Sequence, residues 1–502
     1  MSNTNNSSNR TVLYTSASIA LLFVAFGMFF PVQMSEVVNK VFAFLTIKFG
    51  WLYLLSVAVF IVTAFGIAIS SYGKIKLGKE DDVPEFTNFQ WFAMLFGGGM
   101  GIGLVFWSIA EPIMHYLAPP IGDGGTAEAM STAMRIVFFH WGIHAWVIFA
   151  IGGLALAYFQ FRKGLPFLIS SAFYPLIGDR IYGPIGKAID ILSVFATIFG
   201  VATSLGLGSS QIATGLEYIW GIRSTPGTIS IIIAFMTVIF TLATVSGLHK
   251  AMQAAANLKI WLSVGFMIFI FLFGGMVYIL NNFTSALGAY LQSFVGQTLW
   301  MDNIDWVNGW TVFYWAWWIA WAPFVGQFVA RVSKGRTIRE FIIAVTLLPV
   351  GFSFIWLAIY GGAAFNLDKL SGGAIQAAVN ADYTTALFAT LKQMPFYFLT
   401  APLAIVLIVV SFIGAANSAT YVLAMLTSGG DMNPSQKLRG FWGIAQGAIT
   451  IMLILVGGTA ALKALQTASI AAAFPFMLIM LVMCFSIYKA LKEDYEEESK
   501  NV

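Results

Sequence analysis

The stretch WTVFYWAWWIAWAPFVGQFVA, residues 310–330, decides the fold class. It runs without a charged residue for the roughly 20 positions that a helix needs to cross a bilayer. The rest of the 502-residue chain matches it, being 59% hydrophobic and only 10% charged. Soluble domains hold about 45–50% apolar and about 25% charged residues, enough charge to cover a surface in water. The net charge is +4, with bases too scattered to form the basic face that nucleic acid requires. Cys484 is the single cysteine, which excludes a disulfide scaffold. The composition implies an all-α polytopic membrane protein.

Working outward from this stretch, the apolar runs predict twelve spans. They lie at 12–31, 51–71, 88–117, 136–159, 188–212, 228–247, 255–281, 310–330, 340–362, 397–426, 441–461 and 469–488. The first is too long for a signal-peptide core and lacks a clean small-residue cleavage site, so it is kept as a span after a Ser/Asn-rich tail, 1–11. Basic residues collect on the cytoplasmic side of membrane proteins. With the N-terminus inside, eighteen lysines and arginines fall on the cytoplasmic side and seven outside, which places both termini in the cytoplasm of a multi-pass plasma (inner) membrane protein. One base, Lys259, lies inside a span. Residues 283–300 read as an amphipathic segment at the membrane surface, within a connection at 282–309. Residues 489–502 read as a short, solvated cytoplasmic tail.

Three features carry chemistry. The third span contains FGGGMGIGLVFW, with Gly97, Gly98, Gly99, Gly101 and Gly103 around Met100. Each glycine weakens a helix by roughly 1 kcal/mol relative to alanine. Unwound backbone survives in a membrane only inside protein or along a cavity, and interrupted helices mark transporter binding sites; close helix packing is the alternative use of such glycines. A dinucleotide motif is not supported, since no strand precedes the glycines. The second feature is mid-span tryptophan. Trp317 and Trp321 share a helix face beside Trp318, while Trp141, Trp146 and Phe149 fall within about 140° of arc on an ideal helix. Rings in this number suit a quaternary ammonium group, which has no donor for hydrogen bonds and is held by cation–π attraction. The third feature is Lys259, because a charge within a span is costly and usually functional; a lysine snorkelling from a helix end is the plainer reading. Glu111, before Pro112, is a candidate gate or proton site, whereas Asp190 and Glu340 sit near helix starts, where acids are ordinary. His140 and His144 have a metal-ligand spacing but no glutamate between them, so packed histidines, no metal and no cofactor are expected.

The segments FYWAWWIAWAPFVGQFVARVSKGRTIREF (313–341), GMGIGLVFW and FHWGIHAW resemble the betaine/carnitine/choline transporter family over about residues 12–490. The resemblance implies two five-helix inverted repeats, 88–281 and 310–488, two peripheral helices within 12–87, and a homotrimer. It maps a substrate box onto Trp141, Trp146, Phe149, Trp317, Trp318 and Trp321, approached by Gly99, Met100 and Gly101. Phe149 stands where many members have tyrosine, and Met114 where carnitine exchangers have a further aromatic, which favours the betaine branch. Sodium-coupled members carry hydroxyl ligands in a segment like FFITSADSAS. Here it reads SFIGAANSAT (411–420), with Gly414 and Ala415 in their place. Neither side chain has an oxygen. Lys259 stands where sodium-independent carnitine exchangers carry arginine.

The resulting expectation is a non-enzymatic, sodium-independent carrier of a trimethylammonium compound such as glycine betaine, carnitine or choline, working by exchange or facilitated transport. Proton coupling through Lys259, whose type of side chain titrates readily when buried, and conventional sodium symport for osmoprotection are the alternatives. A channel would need a polar lining, an enzyme an activated nucleophile or metal cluster, and neither pattern is evident. The acidic tail does not resemble the long basic tails of osmosensing relatives.

Overall fold

The fold is a bundle of helices, given by a computed structural model that describes residues 2–99, 101–246 and 249–500. The main elements are α1 (Ser2–Phe29), α2 (Pro31–Ile69), α3 (Asn88–Gly99), α4 (Ile102–Leu117), α5 (Ala127–Trp141) and α6 (Ile143–Ala157). They continue with α7 (Pro184–Trp220), α8 (Pro226–Ser246), α9 (His249–Phe273), α10 (Met276–Thr298) and α11 (Thr311–Arg331). The last four are α12 (Ile338–Leu370), α13 (Tyr397–Thr427), α14 (Gln436–Gly457) and α15 (Ala461–Lys500). Short helical turns fill the connections. Among the described residues the extended pairing is one isolated bridge, Lys76 with Thr337.

Among the described residues ten helical stretches are long and apolar enough to cross a membrane, α5 and α6 together making one of them, and ten of the twelve predicted spans fall on them. The other two are those with the unusual composition. Residues 88–117 are split into α3 and α4, of 12 and 16 residues, each too short alone. Residues 310–330 do form a 21-residue helix, α11; its tryptophans and tyrosine are less apolar than leucine or valine, so it scores low by hydropathy.

Several boundaries differ from the sequence expectation, each for a local reason. The second span takes in residues 32–50 as well, because Pro31 at its start has the fixed φ of a first helical turn. The fourth span starts at Ala127, where Thr126 accepts a hydrogen bond from Ala129 N at 3.1 Å, and it breaks at Gly142. A Cβ there would lie 2.4 Å from Phe138 O and 2.9 Å from Tyr290 Oη. The seventh span stops at Phe273 rather than 281. Gly275 has φ 96°, which favours glycine, and the chain resumes as α10. The amphipathic segment 283–300 belongs to α10, whose Ile279, Ala286 and Tyr290 share one buried face. The final helix runs on through the expected solvated tail. Asp494 there is buried, accepts from Tyr158 Oη at 2.6 Å and Arg162 Nε at 2.9 Å, and also pairs with Lys163.

Layering follows from burial. The α6 and α11 pair forms the centre, surrounded by α4, α5, α7, α12 and α15, with α1, α8 and α14 further out. On α8, Ile231, Phe235, Val238 and Leu242 are exposed while Ile233, Met236 and Phe240 are buried. An outer face this apolar fits lipid, not water. Small residues let helices approach where lipid gives no hydrophobic drive. Gly443 and Gly447 on α14 face Thr241 and Thr237 of α8, and a Cβ on Gly447 would lie 2.2 Å from Thr237 Oγ1. At the end of the bundle that carries the 70–91 and 331–339 connections, these two segments are stapled together. Leu77 N bonds Arg336 O and Gly335 N bonds Leu77 O, both at 2.8 Å, while Arg336 stacks 4.5 Å over Trp91. This staple fixes the start of α3 against the end of α11.

Gly447→Leu is expected to wedge α14 from α8 and destabilise the fold by about 1–3 kcal/mol, as overpacking does. A fall in the melting temperature of the purified protein in detergent checks this, with Ile444→Leu on the exposed face as the unaffected control.

Candidate functional site

The site begins where the third span leaves the helix. α3 ends at Gly99, and α4 starts at Ile102 after Gly101, which is extended at φ −97° and ψ 170°. Gly103, in the first turn of α4, has no room for a side chain. A Cβ there would lie 2.5 Å from Trp317 Cη2 and 3.2 Å from Trp141 Cη2. The break therefore lets two indoles reach over the start of α4. A cavity of about 60 Å³ opens at this point, lined by Gly101, Gly103, Trp141, Trp146, Phe149, Trp317, Trp318 and Trp321, with Ser204 and Ser353 supplying hydroxyls. Among the described residues no charged side chain lines it.

The structure thus brings together all six predicted aromatic residues and Gly101. Met100 lies outside the described residues. Gly99 ends α3, and Met114 does not line the cavity. The ideal-helix arc drawn for Trp141, Trp146 and Phe149 does not hold, because the Gly142 break separates Trp141 from the other two. They meet through that break rather than along one helix face.

The rings are held by one another and by their N–H groups. Trp317 and Trp318 stack at 4.8 Å, Trp141 meets Trp318 edge-on at 4.9 Å, and Trp146 meets Phe149 edge-on at 5.4 Å. Trp321 Nε1 donates to Gly200 O at 2.8 Å, and Trp317 Nε1 to the same oxygen at 3.3 Å. Trp318 Nε1 donates to His140 O at 3.0 Å, and Trp141 Nε1 to Glu111 Oε2 at 2.8 Å. With these polar edges satisfied by protein, the rings have orientations set in advance. Gly200 was not foreseen from sequence; nothing about a glycine in an apolar helix marks its carbonyl as a double acceptor.

Glu111 is fully buried behind Trp141. Its Oε1 lies 2.7 Å from His140 Nδ1 and 3.2 Å from His115 Nε2, and its Oε2 lies 2.5 Å from Tyr314 Oη. His140 and His144, whose four-residue spacing drew notice in the sequence, are hydrogen-bonded to different partners: His144 Nε2 bonds Thr298 Oγ1 at 2.8 Å. His115 is the true companion of His140, and its place one turn after Glu111 was the available signal. Ligand atoms of Glu111, His115 and His140 lie within 4.8 Å of one another. Both carboxylate oxygens, however, already have two hydrogen-bond partners each, so the group is a hydrogen-bond network. Asp190, foreseen as an ordinary helix-start acid, is buried and accepts from Ser170 N at 3.0 Å and Ser170 Oγ at 2.8 Å. Glu340 completes a capping box with Thr337.

Lys259 is half-buried on α9, which packs on α13, the helix carrying Gly414 and Ala415. Among the described residues no hydrogen bond or ion pair holds its ammonium. The position a side chain would take on Gly414 is open space.

The family model for betaine/carnitine/choline family transporters matches residues 11–496. A probable glycine betaine transporter of Desulfitobacterium hafniense (strain Y51) is 79% identical over 485 residues, covering 97% of this chain and 98% of the relative. The glycine betaine transporter OpuD of Bacillus subtilis (strain 168) is 45% identical over 496 residues, covering 98% and 96%. A high-affinity choline transport protein of Escherichia coli (strain K12) is 37% identical over 504 residues, covering 98% and 74%.

Gly103→Ala is expected to push Trp317 and Trp141 off their present positions. Binding of tetramethylammonium, measured by calorimetric titration, should weaken by about tenfold or more, equivalent to about 1.4 kcal/mol, with helix content by circular dichroism unchanged.

Proposed function

The chain belongs to the betaine/carnitine/choline transporter family of membrane proteins, and within it we propose that this chain carries a trimethylammonium compound, glycine betaine foremost, without sodium. The observation that carries the substrate class is the cavity at the break between α3 and α4. Six aromatic rings line it, and among the described residues no charged group competes for the ligand. A trimethylammonium head offers no hydrogen-bond donor, so ring faces and shape are what can hold it. Each ring is worth roughly 0.5–2 kcal/mol when desolvated. The names of the relatives favour glycine betaine.

Sodium independence rests on chemistry at a second place. A hard cation needs oxygen ligands. Gly414 and Ala415 provide none from their side chains, and the neighbouring helix α9 carries a lysine. A fixed ammonium in this region does the electrostatic work that a bound cation would otherwise do. Transport then runs on substrate gradients, by exchange or facilitated diffusion. The reading includes two five-helix repeats, 88–281 and 310–488, alternating around the site, in a plasma-membrane homotrimer with both termini cytoplasmic.

Uptake of labelled glycine betaine into proteoliposomes is expected to proceed equally in sodium and potassium media, and to accelerate when unlabelled betaine is inside. Strict dependence on sodium overturns the role given to Lys259, and dependence on a pH gradient replaces it with proton coupling. Lys259→Ala should cut uptake by about tenfold, on the scale of one lost charge interaction, while Lys259→Arg retains it.

A further inference from the structure

Among the described residues the cavity proposed above for a cation has no anion in its lining, and a buried acid, Glu111, is bonded to one of its rings. Four groups converge on Glu111: His115 and His140 on Oε1, Trp141 and Tyr314 on Oε2. An ionised carboxylate accepts only and has about four lone-pair sites. Here those sites meet an indole N–H, a phenol O–H and two imidazole nitrogens. Each stabilises the charged form when it donates.

The surroundings admit this without a compensating cation. His140 Nε2 lies 3.0 Å from Thr311 Oγ1, so a neutral ring can donate from Nδ1 to Glu111 and accept from the threonine hydroxyl. His115 Nδ1 is buried with no partner, which disfavours a proton there. Among the described residues no lysine or arginine pairs with Glu111. The network as a whole then carries one negative charge.

We infer that the Glu111 carboxylate is the fixed counter-charge of the cavity, delivered through Trp141. The inference rests on the trimethylammonium reading above. Trp141 Nε1 ends on Oε2 at 2.8 Å while its ring lines the cavity. An indole that donates to an anion gains π-electron density, and the pull of its face on a cation rises accordingly. The same network reaches a second ring, since Trp318 Nε1 is held by His140 O at 3.0 Å. Tyr314, the fourth partner, packs against Trp141 and Trp318 at 5.7 and 5.9 Å. Glu111 does not line the cavity. It is a positioning and polarising residue, and the property it sets is preference for a cation over a neutral group of the same shape.

The test compares glycine betaine with 3,3-dimethylbutanoate, in which carbon replaces the ammonium nitrogen while the three methyls and the carboxylate remain. Both are measured as competitors of labelled betaine uptake in proteoliposomes. The wild type should prefer betaine strongly. In Glu111→Gln, betaine affinity should fall by about tenfold and that of 3,3-dimethylbutanoate, whose head group is uncharged, by less than about threefold, so discrimination collapses. Glu111→Asp keeps the charge and should keep the discrimination. A parallel loss for both compounds means a structural role alone and overturns the inference, as does undiminished discrimination. Should Glu111→Gln fail to fold, Trp141→Phe carries the test: it keeps a ring and removes the N–H link. Wild-type discrimination in that variant overturns the inference. Absence of competition by betaine in the wild type sinks the trimethylammonium reading itself, a result distinct from any of these.

Discussion

In a bilayer a backbone amide has no water to bond, so a chain can leave the helix only where other protein groups surround it. Two such departures, at Gly101 and at Gly142, organise this molecule. They occur on sequential spans, and residues flanking both, Gly103, Trp141 and Trp146, line the same cavity. Each is supported by packing from elsewhere: Trp317 and Trp141 over Gly103 in one case, Tyr290 and Phe354 against Gly142 in the other. Tyr290 Oη also accepts from Ile143 N at 3.3 Å, where α6 begins. The irregular backbone is therefore a consequence of the tertiary structure around it, not of glycine content alone.

The rings that this backbone exposes need their own discipline. An indole carries an apolar body and one N–H that must be satisfied when buried. Gly200, His140 and Glu111 take up four of these donors, and all three acceptors lie on helices other than those of the rings, or at the end of α5 where the helix stops. Hydrogen bonds thus decide ring orientation, while stacking decides spacing. The staple between the 70–91 and 331–339 segments holds the start of α3, the helix that leads into the break, against the end of α11.

Charge is scarce here, so each buried charge has a defined setting. Glu111 is enclosed by donors, Asp190 by Ser170, and Asp494 by Tyr158, Arg162 and Lys163. Lys259 differs, sitting half-buried beside a helix from which side-chain oxygens are missing at two successive positions. The contrast between enclosed acids and an ammonium that has no partner among the described residues is the electrostatic outline of the proposed carrier.

The class of protein, the spans and the aromatic set were legible in the chain, because burial in lipid demands long apolar runs and because mid-span tryptophan and clustered glycine are rare enough to stand out. Glu111 was legible as an oddity, though not its role. Other features were decided only by folding. At Gly142 and Gly275, where helices are interrupted, distant side chains occupy the space a Cβ would need, and Gly275 has a positive φ. Gly200 matters through a carbonyl that every residue possesses. His140 chose His115 over His144 because the Gly142 break sends the two apart, one toward Glu111 and the other toward Thr298. The sequence by itself determined what must be buried and roughly where the chain would cross the membrane. Which polar atoms meet inside was left to the tertiary structure, since a hydrogen bond depends on distances of a few tenths of an ångström between helices far apart in the chain.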